Sequence, residues 1–215
     1  MMKAAVALLL IGLALQVGGA EASTSSTAEN AKEAAATFST QTNGLRTSVE
    51  ITLAETEVAS PGGVDRGLHA DIEILQHDTR GGHNHMIDVA GSVDTHPNAL
   101  DLIAEDLSSA SLSITIPVCG ARPNHNGRLK QRPFNECFDV EVALEWTATG
   151  ETYSSSGTDD YPLGDCSAHV LSSYQRTGAL SSGTIIVGGA NFAASPSTSA
   201  ALSASNYTTT VTCPE

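Results

Sequence analysis

Five of the chain's seven histidines, His69, His77, His83, His85 and His96, fall between residues 69 and 96, interleaved with Asp71, Asp78, Asp88 and Asp94. His83-Asn84-His85 has the form H-x-H, which on a strand turns both imidazoles to one face. Two such rings can share Zn or Cu, with metal–nitrogen distances of about 2.0–2.1 Å for zinc. Met86 beside them would add a soft thioether ligand for Cu(I). The opposing expectation is a solvated face. Gly81-Gly82 sets the tripeptide at a turn, and His69 alternates with Asp71 and Glu73 as residues facing water do. Asp159, Asp160 and Asp165 form another candidate metal set, hard oxygens that would suit Ca.

A second kind of chemistry lies between Cys119 and Cys137. Arg122, Arg128, Lys130 and Arg132 stand there against the single carboxylate Glu136. The chain as a whole carries 10 Lys+Arg and 24 Asp+Glu, a formal charge of −14, so this loop is a local cationic island. Closed by a disulfide it would attract an anionic surface polymer or an acidic protein partner. The opposing expectation is that the loop sits on the protein's own acidic strands and relieves self-repulsion. A net charge this negative excludes nucleic acid as the main ligand, because phosphate backbones would be repelled.

Short catalytic signatures are missing. The sequence has no G-x-S-x-G elbow, no H-E-x-x-H helix, no phosphate-cradling P-loop and no G-x-G-x-x-G turn. Aromatic residues make up only 4% of the chain, which speaks against carbohydrate recognition, since stacking on sugar rings needs exposed Trp or Tyr.

The N-terminus suggests where this chemistry would operate. Lys3 supplies a positive charge, Ala4 to Ala20 is an apolar run, and Ala20-Glu21-Ala22 presents small residues before Ser23. That pattern reads as a signal peptide over residues 1–22, too short and glycine-interrupted for a span, with no membrane-spanning stretch after its removal. The mature protein is thus expected to be secreted and extracellular. Its four cysteines, Cys119, Cys137, Cys166 and Cys213, then pair as disulfides. Of the three pairings we favour Cys119–Cys137, which brackets one polar loop, and Cys166–Cys213, which ties down the C-terminal strand.

The elements that must hold these groups follow from periodicity. Residues 23–47 are rich in Ser, Thr and Ala and read as a flexible lead-in, with one possible short helix at Ala28 to Phe38. From Ser48 the period becomes two. Val49, Ile51 and Leu53 oppose Glu50 and Thr52, and Ala70, Ile72 and Ile74 oppose Asp71 and Glu73. Ile87 to Val93, Leu100 with Leu102, Ala110 to Val118 and Val140 to Trp146 continue the pattern. Weaker strands follow near His169 to Tyr174, Ala179 to Val187 and Asn206 to Thr212, while Ser154 to Asp160 and Ser195 to Ser205 read as polar loops. Trp146, in phase with Val142 and Leu144, belongs to the core.

Eight to nine such strands imply an all-β, antiparallel β-sandwich, immunoglobulin-like or jelly-roll-like, over residues 48–215 as a single domain. The expected function is that of an exported, non-catalytic protein, structural or partner-binding through its loops. The alternative is a secreted metal binder or small metalloenzyme built on the His69 to His96 region.

Overall fold

The computed structural model describes residues 23–42, 44–78, 85–97 and 101–214. They form twelve strands: β1 (Ser23–Thr42), β2 (Leu45–Ser60), β3 (Gly63–Asp78), β4 (His85–Thr95), β5 (Ser109–Cys119), β6 (Ala121–Pro123), β7 (Leu129–Gln131), β8 (Cys137–Ala148), β9 (Tyr153–Leu163), β10 (Cys166–Val187), β11 (Ala190–Asn191) and β12 (Ser199–Cys213). All pairings are antiparallel, in the order β4-β3-β2-β1-β12-β10-β8-β5, with β9 and β11 also paired to β10 and β6–β7 a separate hairpin. Among the described residues no helix is long and apolar enough to cross a membrane. The expected signal peptide lies outside the described residues.

The all-β, sandwich-like architecture is the one the alternation implies, and its hinge is β10. Residues 167–178 of that strand pair with β12, and residues 179–186 leave it to pair with β8, so one strand belongs to both layers. Val49, Ile51 and Leu53 of β2 and Ala70, Ile72 and Ile74 of β3 are buried against Leu112 and Ile116 of β5 and Val140 to Trp146 of β8 in a common core. Trp146 is 1% exposed and donates its indole N–H to the Ala35 carbonyl at 3.1 Å. Gly91 is needed where β4 crosses β5, since a Cβ there would lie 2.1 Å from the Pro117 carbonyl oxygen.

Three sequence expectations need correcting. Residues 23–42 are neither a flexible lead-in nor helical. They are β1, paired on both sides, with Ala34, Ala36 and Phe38 in the core. The Ser-rich segment from residue 154 to 160 lies within β9, and the one from 195 to 205 runs into β12, so the strands outnumber the eight or nine expected. Both misreadings have one cause: backbone pairing to neighbours already in place makes strands of residues whose own side chains carry little apolar signal. Leu102, expected on a strand, lies in a bend instead; only Ile103 bridges, to Ala110.

The long strands outrun the second layer. Residues 23–33, 55–60, 63–67, 153–163, 166–176 and 205–213 extend as a sheet arm in which only Glu55 and Ala168 are buried. Where the arm leaves the sandwich, Lys32 and Glu55 seal the core. The Lys32 ammonium donates to the Ile103 carbonyl and to Glu105 Oε1, each at 2.8 Å. Glu55 Oε1 accepts the Leu102 N–H at 2.7 Å, whereas its Oε2 makes no hydrogen bond and is neutralised by Lys32 Nζ at 3.3 Å. Burial by itself would lower the Lys32 pKa, but the contacts with Glu105 and Glu55 outweigh it and raise the value.

The two disulfides are Cys119–Cys137, closing 18 residues, and Cys166–Cys213, closing 47. Chain entropy assigns them about 3 and about 4 kcal/mol respectively. They fall at different ends of the structure, the second at the tip of the arm, where there is no core to hold the strands.

Removing one partner of the buried pair should cost about 3 kcal/mol by leaving Glu55 uncompensated. Urea unfolding of Lys32→Met should report that loss, and Lys32→Met/Glu55→Gln should recover most of it. In Cys166→Ala/Cys213→Ala, hydrogen exchange should accelerate in residues 23–31 and 206–213 while the Trp146 fluorescence transition barely moves; a uniform loss of protection would contradict the independence of arm and core.

Candidate functional site

Strand register separates His69, His77 and His85. His69 and His77 lie eight residues apart on β3, about 27 Å at ~3.4 Å per residue. His77 is opposite Met86 while His85 is opposite Asp78, so the two imidazoles leave opposite faces of the sheet. His83, the other half of the H-x-H tripeptide, lies outside the described residues. His96 Nδ1 is 3.2 Å from the Arg66 carbonyl oxygen. His69 stands with carboxylates, its Nδ1 at 2.7 Å from Asp94 and its Nε2 at 3.7 Å from Asp71. Among the described residues no three His, Cys, Asp or Glu side chains converge in a metal-holding group.

The candidate calcium ligands do not converge either. Asp159 and Asp160 are consecutive on β9 and point to opposite faces. Asp160 is 2.7 Å from His169 Nδ1, and Asp165 lies in the turn beyond the strand end.

The cationic segment is a built element. It folds into the β6–β7 hairpin, whose tip turns on Asn124: its Oδ1 accepts the N–H groups of Asn126 and Arg128 at 2.9 and 3.0 Å. Gly127 adopts φ 72° there, and a Cβ would come within 2.7 Å of the Phe192 ring, so both the turn and the packing require glycine. Ala121 and Leu129 are buried beneath the hairpin. Gln76, on the buried face of β3, clamps it from below, donating to the Gly127 carbonyl at 2.7 Å and accepting from the Leu129 N–H at 2.8 Å.

The four cations then divide. Arg128 forms an ion pair with Asp78 of β3, and Arg132 stands 3.8 Å from Glu136. Arg122 and Lys130 sit directly opposite each other across the hairpin, both exposed. No carboxylate pairs with either of them among the described residues. Phe134 in the same loop is 88% exposed, the most open large apolar side chain described. Gln76, Asp78 and Phe134 were not singled out from sequence as parts of this element. The available signal was polar residues at Gln76 and Asp78, in phase with Ile72 and Ile74, where an apolar side chain was due.

Elsewhere the outer face of the sheet gathers acid. Glu73 is directly opposite Glu50. Burial, followed by Asp88, Glu50 and Asp71, raises the Glu73 pKa. Burial and Asp71 raise that of Glu33 against the lowering effect of Arg176, and burial raises that of Asp71 against His69.

No known protein family, curated protein or solved structure matches this chain.

Carboxyls whose pKa is higher in the folded than in the unfolded chain take up protons on folding. Their stabilising contribution is complete below the unfolded value and disappears as pH rises through the folded one. Stability should therefore increase as pH falls from neutrality towards the ordinary carboxylate range. Glu73→Gln, which relieves a directly opposed like-charge pair, should raise the urea midpoint at pH 7 by the equivalent of a few tenths of a kcal/mol. The gain should shrink by pH 5, and a gain unchanged with pH would refute the charge explanation.

Proposed function

We propose that this is an exported, non-catalytic binding protein whose Cys119–Cys137 hairpin docks an anionic partner, either an acidic surface polymer or an acidic protein. The observation that carries the reading is the juxtaposition of Arg122 and Lys130. Like charges directly opposite on adjacent strands repel, and an external anion between them would convert that repulsion into attraction. Arg128, by contrast, is satisfied within the chain by Asp78. The disulfide, the buried Gln76 clamp and the Gly127 contact hold the two exposed cations in place before any partner arrives, which lowers the ordering cost of association. Phe134, open beside them in sequence, supplies apolar area at low conformational cost.

Two disulfides within one chain are consistent with an oxidising compartment, and the N-terminal pattern of residues 1–22 supports secretion as the route there. The alternative metal-binding reading, built on the His69 to His96 region, has no converging group among the described residues to favour it.

Heparin and poly-glutamate provide the test. The protein should bind at least one of them at low salt, with affinity falling steeply as salt rises. Arg122→Glu/Lys130→Glu should reduce that binding at least tenfold, whereas Arg128→Ala should act mainly on stability. Equal retention of the double variant and the parent on both columns would rule out the hairpin.

A further inference from the structure

The chain has four tyrosines, and strand register puts all of them on one face of the arm. Tyr153 and Tyr161 are on β9, Tyr174 on β10 and Tyr207 on β12. Tyr174 is directly opposite Ser155 and Tyr207 directly opposite Ser172, so Tyr153, Tyr174 and Tyr207 each step diagonally by one strand and two residues. Diagonal neighbours of this kind are about 7–8 Å apart, which makes a straight line of three rings about 15 Å long. Tyr161 shares the face but lies off the line, eight residues along β9 from Tyr153. Tyr153 and Tyr207 are 64% and 45% exposed, and no second layer covers this part of the sheet.

Apart from Arg176 beside Tyr153 and Glu29 beside Tyr207, what flanks the line is hydroxyl or small. Ser155 and Ser205 stand on either side of Tyr174, and Ser172 stands beside Tyr207 with Gly157 beyond it. Gly157 leaves room above Ser172, because a Cβ there would approach the serine oxygen to 3.2 Å.

We propose that this face binds a neutral polysaccharide, with successive sugar rings stacking along Tyr153, Tyr174 and Tyr207 and their hydroxyls bonding to the serines between. Two common polymers offer flat, repeating rings to a row of aromatics: single-stranded nucleic acids and glycans. Charge decides between them. The only cation on this face of the arm strands is Arg176, directly opposite Tyr153, while Glu29 lies directly opposite Tyr207, Asp159 lies on β9, and Glu33 lies opposite Ser203. A phosphate backbone would meet net repulsion there, on a chain of −14, whereas an uncharged pyranose polymer meets none. Tyrosine and serine together suit such a ligand, the rigid ring giving apolar area to the C–H faces of the sugar and the hydroxyls giving adaptable hydrogen bonds. The site is separate from the hairpin and uses none of its cations.

Affinity electrophoresis of the folded protein in gels containing hydroxyethyl cellulose, soluble starch or galactomannan tests this directly. At least one polymer should retard the protein, with little change between low and high salt. Tyr174→Ala and Tyr207→Ala should each weaken retardation about tenfold or more, Tyr161→Ala should change it less than threefold, and Arg122→Glu/Lys130→Glu should leave it unchanged. Circular dichroism melting of each variant separates lost binding from lost folding, and Tyr207→Phe provides a milder probe that retains the ring. Retardation by none of the three polymers overturns the proposal, as does retardation that survives Tyr153→Ala/Tyr174→Ala/Tyr207→Ala in a folded protein. Binding of poly-dT in place of the glycans overturns it too. A concentration-dependent dimer in analytical ultracentrifugation that Tyr207→Ala dissolves would assign the face to a second copy of the chain and likewise overturn it.

Discussion

The two layers of this protein are of unequal length, and most of its character follows from that. The strands β1, β2, β10 and β12 run for 15 to 22 residues, while β5 and β8, which cover them, have 11 and 12. Hydrophobic burial can stabilise the long strands only where the second layer reaches. Beyond that limit the sheet must be held by its own ladders and by a covalent bond, which is where Cys166–Cys213 sits. The transition is abrupt and chemically marked. Glu55 is fully buried where β2 leaves the sandwich, and Lys32 closes over it.

The division sorts the surface. Where two layers meet, the polar residues admitted to the interior perform structural work, as Gln76 and Asp78 do in anchoring the β6–β7 hairpin. Where only one layer exists, both faces stay available. The outer face grades from an acidic region around Glu33, Asp71 and Glu73 to the tyrosines of β9, β10 and β12. Hairpin and arm thus present two surfaces of unlike chemistry, one cationic and pinned, the other weakly acidic, aromatic and hydroxylated. The low aromatic content spoke against carbohydrate recognition, but stacking depends on exposed rings set in a row, and the four tyrosines share one face.

The strands legible in the sequence are those with one wet and one dry face. Val49-Glu50-Ile51-Thr52-Leu53 and Val140 to Trp146 announce themselves because the core fixes every second residue. Residues 23–33 and 153–163 pack against no second layer, so nothing selects an apolar alternation in them, and their Ser, Thr and Gly content imitates a loop. The same blindness extends to function. His69, His77 and His85, near one another in sequence, are dispersed by extended strands, whereas Tyr153, Tyr174 and Tyr207, remote in sequence, are aligned by pairing.

Sequence alone determined the antiparallel β class, the place of Trp146 in the core and the plausibility of the disulfide pairs, because alternation and cysteine spacing are local records of burial and closure. Tertiary structure alone decided that residues 23–42 belong in the middle of the sheet, that Arg128 pairs with Asp78 while Arg122 and Lys130 face each other, and that four tyrosines share one face. Each of those facts depends on which strand lies beside which and in what register. Register is set by contacts between residues far apart in the chain, and the short-range pattern of any one strand does not contain it.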